Sequence, residues 1–170
     1  VSRFKNLQHH YVHQTGSVEA STFWAGCGVI RRSVFQELGG FDTEKYARPA
    51  IEDIELGYRL RAAGGRIRLA PNVQVKHHKT WSLPGVLRTD LFDRGIPWTR
   101  LLMEQDPGAN DLNLSLRARA SVVAALLMPV GLILALFWPR ALLLSLAAGL
   151  GFLWLNIGFY RLLALRGGVP

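Results

Sequence analysis

Asp53, in the run Ile51-Glu52-Asp53-Ile54-Glu55, is the residue whose type and setting suit proton transfer. The segment from Ile51 to Ala63 has helical periodicity and stops at Gly64-Gly65. On such a helix Asp53 shares a face with Leu56, Gly57 and Leu60, which turns its carboxylate inward. Glu52, Glu55 and Arg59 fall on another face that reads as solvated, with Glu55 and Arg59 one turn apart as an ion pair. An acid in the first helical turn also suits the helix dipole, so residue type alone leaves both a structural cap and a general base open. His77 ends the alternation Val73, Val75, His77 on the apolar side of a short strand. Gly26-Cys27-Gly28 would let a backbone approach a ligand closely. Together these features suit a concave polar site.

The elements that position them are expected in this order. A helix covers Phe4 to Gln14, with three histidines among its polar positions. A buried strand covers Ala20 to Ile30, interrupted at the glycines. A short helix begins at Ser33, capped by Gln36 and ended by Gly39-Gly40. After the 51–63 helix come strands at Arg66 to Ala70 and at Val73 to His77. An amphipathic segment from Leu83 to Met103 follows, divided or kinked at Pro97 and suited either to lying on a bilayer surface or to packing on the domain.

Ala120 to Trp138 and Ala141 to Tyr160 contain no charged residue. Each is long enough to cross a hydrocarbon layer of about 30 Å as a helix, which favours a transmembrane hairpin over a buried pair in a soluble bundle. Arg117 and Arg119 before the first stretch, and Arg161 and Arg166 after the second, place both ends in the cytoplasm. Of 20 Lys and Arg, 17 precede residue 120 together with all 12 Asp and Glu, leaving +5 of the formal +8 charge outside the apolar stretches. Acids are mixed with the bases throughout, which argues against nucleic acid and for lipid head groups or a diphosphate. The single cysteine, Cys27, excludes an internal disulfide and suits a reducing compartment. The start at Val1, inside helical periodicity, reads as a fragment.

F-W-A-G-C-G from Phe23, R-R-S-V-F-Q-E-L-G-G-F-D from Arg31, I-E-D-I-E-L-G-Y-R-L-R-A-A-G from Ile51 and P-N-V-Q-V-K-H from Pro71 resemble, in order, the second half of family 2 glycosyltransferases. H-H-K-T-W and T-D-L-F-D-R-G-I-P-W-T-R-L-L resemble its membrane-bound branch. The resemblance implies an α/β fold, the C-terminal half of a GT-A domain over residues 1–82. An interfacial segment over 83–117 and a transmembrane hairpin over 118–170 would follow. It implies inverting transfer from a nucleotide-sugar donor to a lipid or glycan acceptor at the cell membrane, with the catalytic part cytoplasmic. Asp53 would be the general base and Glu52 its motif partner. Trp24, Gly26, Cys27, Gly28, Arg94 and Trp98 would bind substrate, and His77 would approach a metal-bound diphosphate. The Mg²⁺ or Mn²⁺ ion that the resemblance implies would draw its main ligands from an Asp-x-Asp motif, which is absent from this sequence. Arg94 and Trp98 also lack the Gln-x-x-Arg-Trp spacing of polymer synthases, so single transfer stands beside processive synthesis. A non-catalytic membrane-anchored binding protein is the alternative reading.

Overall fold

The computed structural model describes residues 1–76, 78–105 and 110–167. Two long apolar helices carry a smaller, mainly helical assembly. In chain order the elements begin with α1 (Ser2–Thr15), β1 (Glu19–Ala20), a 3₁₀ turn (Ala25–Cys27), α2 (Arg32–Glu37), α3 (Glu52–Ala62) and β2 (Ile67–Arg68). They continue with α4 (Leu83–Arg88), a π turn (Thr89–Gly95), α5 (Ile96–Glu104), a 3₁₀ turn (Leu112–Leu114), α6 (Leu116–Ala135) and α7 (Leu142–Gly167).

This corrects the expected fold class. The chain is 66% helical, and the sheet among the described residues is one antiparallel pairing, Glu19 opposite Arg68 and Ala20 opposite Ile67. It is not an α/β half-domain of the GT-A type. The expected strand over 20–30 leaves its ladder after two residues because Thr22 and Phe23 cross directly over Gly57 of α3, where a Cβ would stand 2.5 Å from the Phe23 nitrogen. The chain then coils into the Ala25–Cys27 turn. Val73 and Val75 alternate without a partner strand among the described residues: the Val73 N–H closes a turn on the Ala70 carbonyl, and both side chains are exposed. His77 lies outside the described residues.

α3 is the centre of the small assembly. Ile51, Ile54 and Tyr58 form a core with Leu101 of α5, against which Tyr46, Trp98 and Leu102 pack. Residues 53 to 58 are all buried, so α3 has no solvated face in its first turns. Glu55, expected at the surface, is 5% exposed. Arg59 makes this tolerable by donating to both Glu55 oxygens, at 2.6 and 2.7 Å, and to the carbonyls of Leu38 and Gly40. Gly39 and Gly40, at φ +77° and +71°, bring those carbonyls round at the end of α2. α2 itself starts at Arg32, behind an Arg31 cap that offers no side-chain hydrogen bond, in place of the expected Ser33 box.

α4, the π turn and α5 form one helical run. Pro97 has no N–H to donate, and its ring crowds the carbonyl four residues back. The wider π turn just before it absorbs that mismatch. α6 starts at Ser115, whose hydroxyl accepts from the Ala118 N–H. α6 and the Pro139–Arg166 stretch are both long and apolar enough to cross a membrane. They pack closely where Gly131 meets the Ser145 backbone, and Asn156 donates to the Ser121 hydroxyl at 2.7 Å. α1 lies against the far end of α7: Phe4 and Tyr11 flank Phe159 at 5.3 and 5.6 Å.

Candidate functional site

The first turn of α3 presents its two leading carboxylates in different environments. Asp53 is 8% exposed; its Oδ2 accepts from the Ala25 N–H at 3.0 Å and its Oδ1 from the Ile54 N–H at 2.8 Å. Burial pushes the Asp53 carboxyl above the usual carboxylate range; the Ala25 hydrogen bond opposes the shift, neighbouring Glu52 adds to it, and Arg94 opposes it. A desolvated carboxylate held above its ordinary pKa is a stronger base than one in water. Glu52 is half-buried, and its Oε2 accepts from the Ala50 N–H at 2.5 Å.

Glu52 opens onto a cleft of about 520 Å³. Its walls are one face of α1 (Arg3, Asn6, His10, His13), the 73–81 segment with Lys76, Lys79 and Trp81, Arg94 from the π turn, and Trp24. The Trp24 ring lies 4.7 Å from that of His13, and the Lys79 ammonium sits 4.1 Å over the Trp81 ring. Trp81 is fastened to the start of α1 by its backbone N–H, which donates to the Ser2 hydroxyl at 2.7 Å.

Of the residues expected to bind or react, Trp24, Glu52 and Arg94 line this cleft. Asp53, next to Glu52 in the chain, is not among the lining residues; its carboxylate is held by the first residue of the Ala25–Cys27 turn. Gly26, Cys27 and Gly28 are exposed on that turn. The space left by the two glycines is taken by rings of their own segment: a Cβ on Gly26 would meet Trp24 at 2.7 Å, and one on Gly28 would meet Phe23 at 2.5 Å. Trp98 is drawn into the core, where its indole N–H donates to the Tyr58 hydroxyl at 3.0 Å. His77, which the family resemblance assigns to a metal-bound diphosphate, falls outside the described residues. Among the described residues no three His, Cys, Asp or Glu side chains converge, so these residues do not by themselves form a divalent-metal site.

The α1 wall and the two lysines were not among the expected site residues. A signal existed in the spacing of Arg3, Asn6, His10 and His13, three or four residues apart on one helix face. Nothing in the order of residues brings that face to Lys76 and Lys79.

No family model matches the chain, and no solved structure matches it. Over 56 residues it is 45% identical to an N-acetylglucosaminyl-diphospho-decaprenol L-rhamnosyltransferase of Mycobacterium tuberculosis, covering 33% of this chain and 18% of that protein. Over 58 residues it is 40% identical to the O-antigen biosynthesis protein RfbC of Myxococcus xanthus, covering 34% of this chain and 4% of that protein. A probable N-acetylgalactosaminyltransferase 6 of Caenorhabditis elegans is 31% identical over 75 residues, 41% of this chain and 11% of that protein. The chain thus spans less than a fifth of the length of these curated relatives. In part of its length it is similar to glycosyltransferases, which supports sugar transfer in general.

Proposed function

We propose that this chain takes part in transferring a sugar from a nucleotide-diphospho-sugar to the hydroxyl of a lipid, lipid-linked or glycan acceptor at a membrane surface, with Asp53 taking the acceptor proton. The observation that carries the reading is a buried carboxylate of raised pKa on the first turn of α3, held by two backbone N–H groups and next in the chain to Glu52, which lines a basic cleft. In that role Asp53 accepts the proton as the acceptor oxygen attacks the anomeric carbon, and the nucleoside diphosphate departs with inversion. The cations of the cleft favour a ligand of that charge. The α6–α7 hairpin carries Arg117 and Arg119 at its start and Arg161 and Arg166 at its end, which supports a cytoplasmic side for both ends.

A second assignment has its own observation: Glu52, not Asp53, lines the cleft. The two are separated by Asp53→Asn and Glu52→Gln in the full-length protein, assayed for sugar transfer with donor binding measured alongside. The proposal expects Asp53→Asn to keep donor binding and lose transfer, since the amide preserves shape and removes basicity. Transfer retained by Asp53→Asn and lost in Glu52→Gln would move the base to Glu52.

A further inference from the structure

The segment from Ser21 to Ala25 is held at both ends by carboxylates from elsewhere in the chain. At one end the Ala25 N–H donates to Asp53 Oδ2 at 3.0 Å. At the other, Asp111 takes both donors of Ser21: its Oδ2 accepts from the backbone N–H at 2.7 Å and its Oδ1 accepts from the hydroxyl. Ser21 is 2% exposed, and it stands where the β1 ladder has already stopped at Ala20. Its N–H therefore takes from Asp111 the partner that a longer strand would have supplied. Between the two ends the segment rests on α3, with the Phe23 nitrogen 2.5 Å from where a Cβ on Gly57 would stand. A strap this short, pressed on a helix at its middle, passes a shift at Ser21 on to Ala25.

Asp111 is itself anchored to the start of α6. Its carbonyl accepts from the Leu114 N–H at 2.8 Å, the Asn110 Oδ1 accepts from the Leu116 N–H at 2.7 Å, and the Arg119 guanidinium donates to the Leu114 carbonyl at 2.8 Å. Leu112, between the clasp and the helix, has φ +47°, a left-handed backbone that leucine keeps only where its surroundings fix it. Those surroundings are the Asp111 clasp on one side and α1 on the other, where a Cβ on Gly16 would stand 2.5 Å from Leu112 Cδ2. The entry to the first long apolar helix is thus tied, through Asp111 and the Ser21–Ala25 strap, to the carboxylate of α3.

From this chain of contacts we infer that Asp111 is a positioning residue for Asp53: it fixes Ser21, and so sets how closely the Ala25 N–H approaches the Asp53 carboxylate. The assignment rests on the sugar-transfer reading for what Asp53 does; the mechanical link stands on the hydrogen bonds alone. Asp111 is not among the residues that line the cleft, so it acts through Asp53 and not on a ligand there. Glu52, on the same helix, and Arg94, from the π turn, are the charged groups that also act on Asp53, and both are retained when Asp111 is replaced.

The test replaces Asp111 in the full-length protein in detergent micelles and follows amide hydrogen exchange over residues 22–25, with α3 and α7 as internal references. Asp111→Ala should speed exchange of the Ala25 amide at least about tenfold, because the two lost bonds belong to a charge-assisted class in which one alone carries a factor of about ten or more. Asp111→Asn keeps one acceptor oxygen for the Ser21 N–H and should fall between the parent and Asp111→Ala. Ser21→Ala, which removes only the hydroxyl, should also be intermediate. The acid limb of transfer should move to higher pH in the same order, since the Ala25 bond opposes the upward shift of the Asp53 carboxyl. Unchanged Ala25 exchange in Asp111→Ala would overturn the link. Faster exchange spread equally over the strap, α3 and α7 would overturn the positioning role, as would a released Ala25 with an unmoved pH limb where transfer still requires Asp53. Local release of Ala25 in a protein whose Asp53→Asn form still transfers sugar would instead sink the reading of Asp53 as the base and leave the strap standing.

Discussion

Gly57→Ala tests the closest approach in the small assembly. The added methyl would stand 2.5 Å from the Phe23 backbone nitrogen and 3.2 Å from the Phe23 Cβ. Backbone cannot swing aside as a flexible side-chain tip can, so the Thr22–Ala25 segment must lift from α3. Overpacking of this kind costs about 1–3 kcal/mol. Lifting the segment also stretches the Ala25 N–H···Asp53 bond, a contact to a charged group of a class contributing about 1.5–3 kcal/mol. Alanine returns about 1 kcal/mol through its helix propensity, so the net loss is about 2 kcal/mol or more. The Asp53 carboxyl should rise further, because the Ala25 bond is the largest influence opposing its upward shift. Thermal unfolding in detergent, followed by tryptophan fluorescence, measures the first effect; the pH dependence of transfer measures the second. A Gly57→Ala protein as stable as the parent, with an unmoved pH profile, would refute the account of how Asp53 is held.

Two more predictions concern charge inside the assembly. Arg59→Leu leaves the Glu55 carboxylate buried without its partner and should cost about 3 kcal/mol in the same unfolding assay, with Glu55→Gln in the same chain recovering part of the loss. The raised Asp53 carboxyl predicts that transfer activity grows as pH rises through its folded pKa, on a limb displaced upward from 3.8. Stability moves the opposite way over that interval. The folded state binds the Asp53 proton more tightly than the unfolded chain, so this contribution is present at acid pH and is lost as pH rises from the unfolded to the folded pKa. Asp53→Asn should abolish that slope in pH-dependent unfolding.

Local rules accounted for α3, its stop at Gly64 with φ +82°, the left-handed Gly39 and Gly40, and the Glu55–Arg59 pair one turn apart. The two apolar helices were legible because length and absence of charge settle them without any tertiary information. Of the expected strands, the one over 66–70 forms at Ile67–Arg68 and the one over 20–30 pairs only at Ala20, while residues 73–76 pair with no strand among the described residues, because alternation is only half of a strand and the other half is a partner ladder. Here the ladder is two residues long. Glu55 was misplaced for a related reason: helical periodicity assumes one wet face, whereas α3 is covered by the segment before it, by the Leu38–Gly40 carbonyls and by α5. The candidate site was partly legible. Asp53 and Glu52 stood out by type and position. The α1 wall came from tertiary packing, since nothing local in Arg3, His10 and His13 points to Lys76 and Lys79 across the cleft.

The central claim is that Asp53 is the proton acceptor in sugar transfer. Its most direct test is the single-turnover rate of transfer by full-length Asp53→Asn protein, saturated with donor and compared with Glu52→Gln. The account predicts loss of transfer by a factor of about 10² or more in Asp53→Asn with donor affinity unchanged, and a smaller loss in Glu52→Gln. An Asp53→Asn protein that transfers sugar at the parental rate would contradict it.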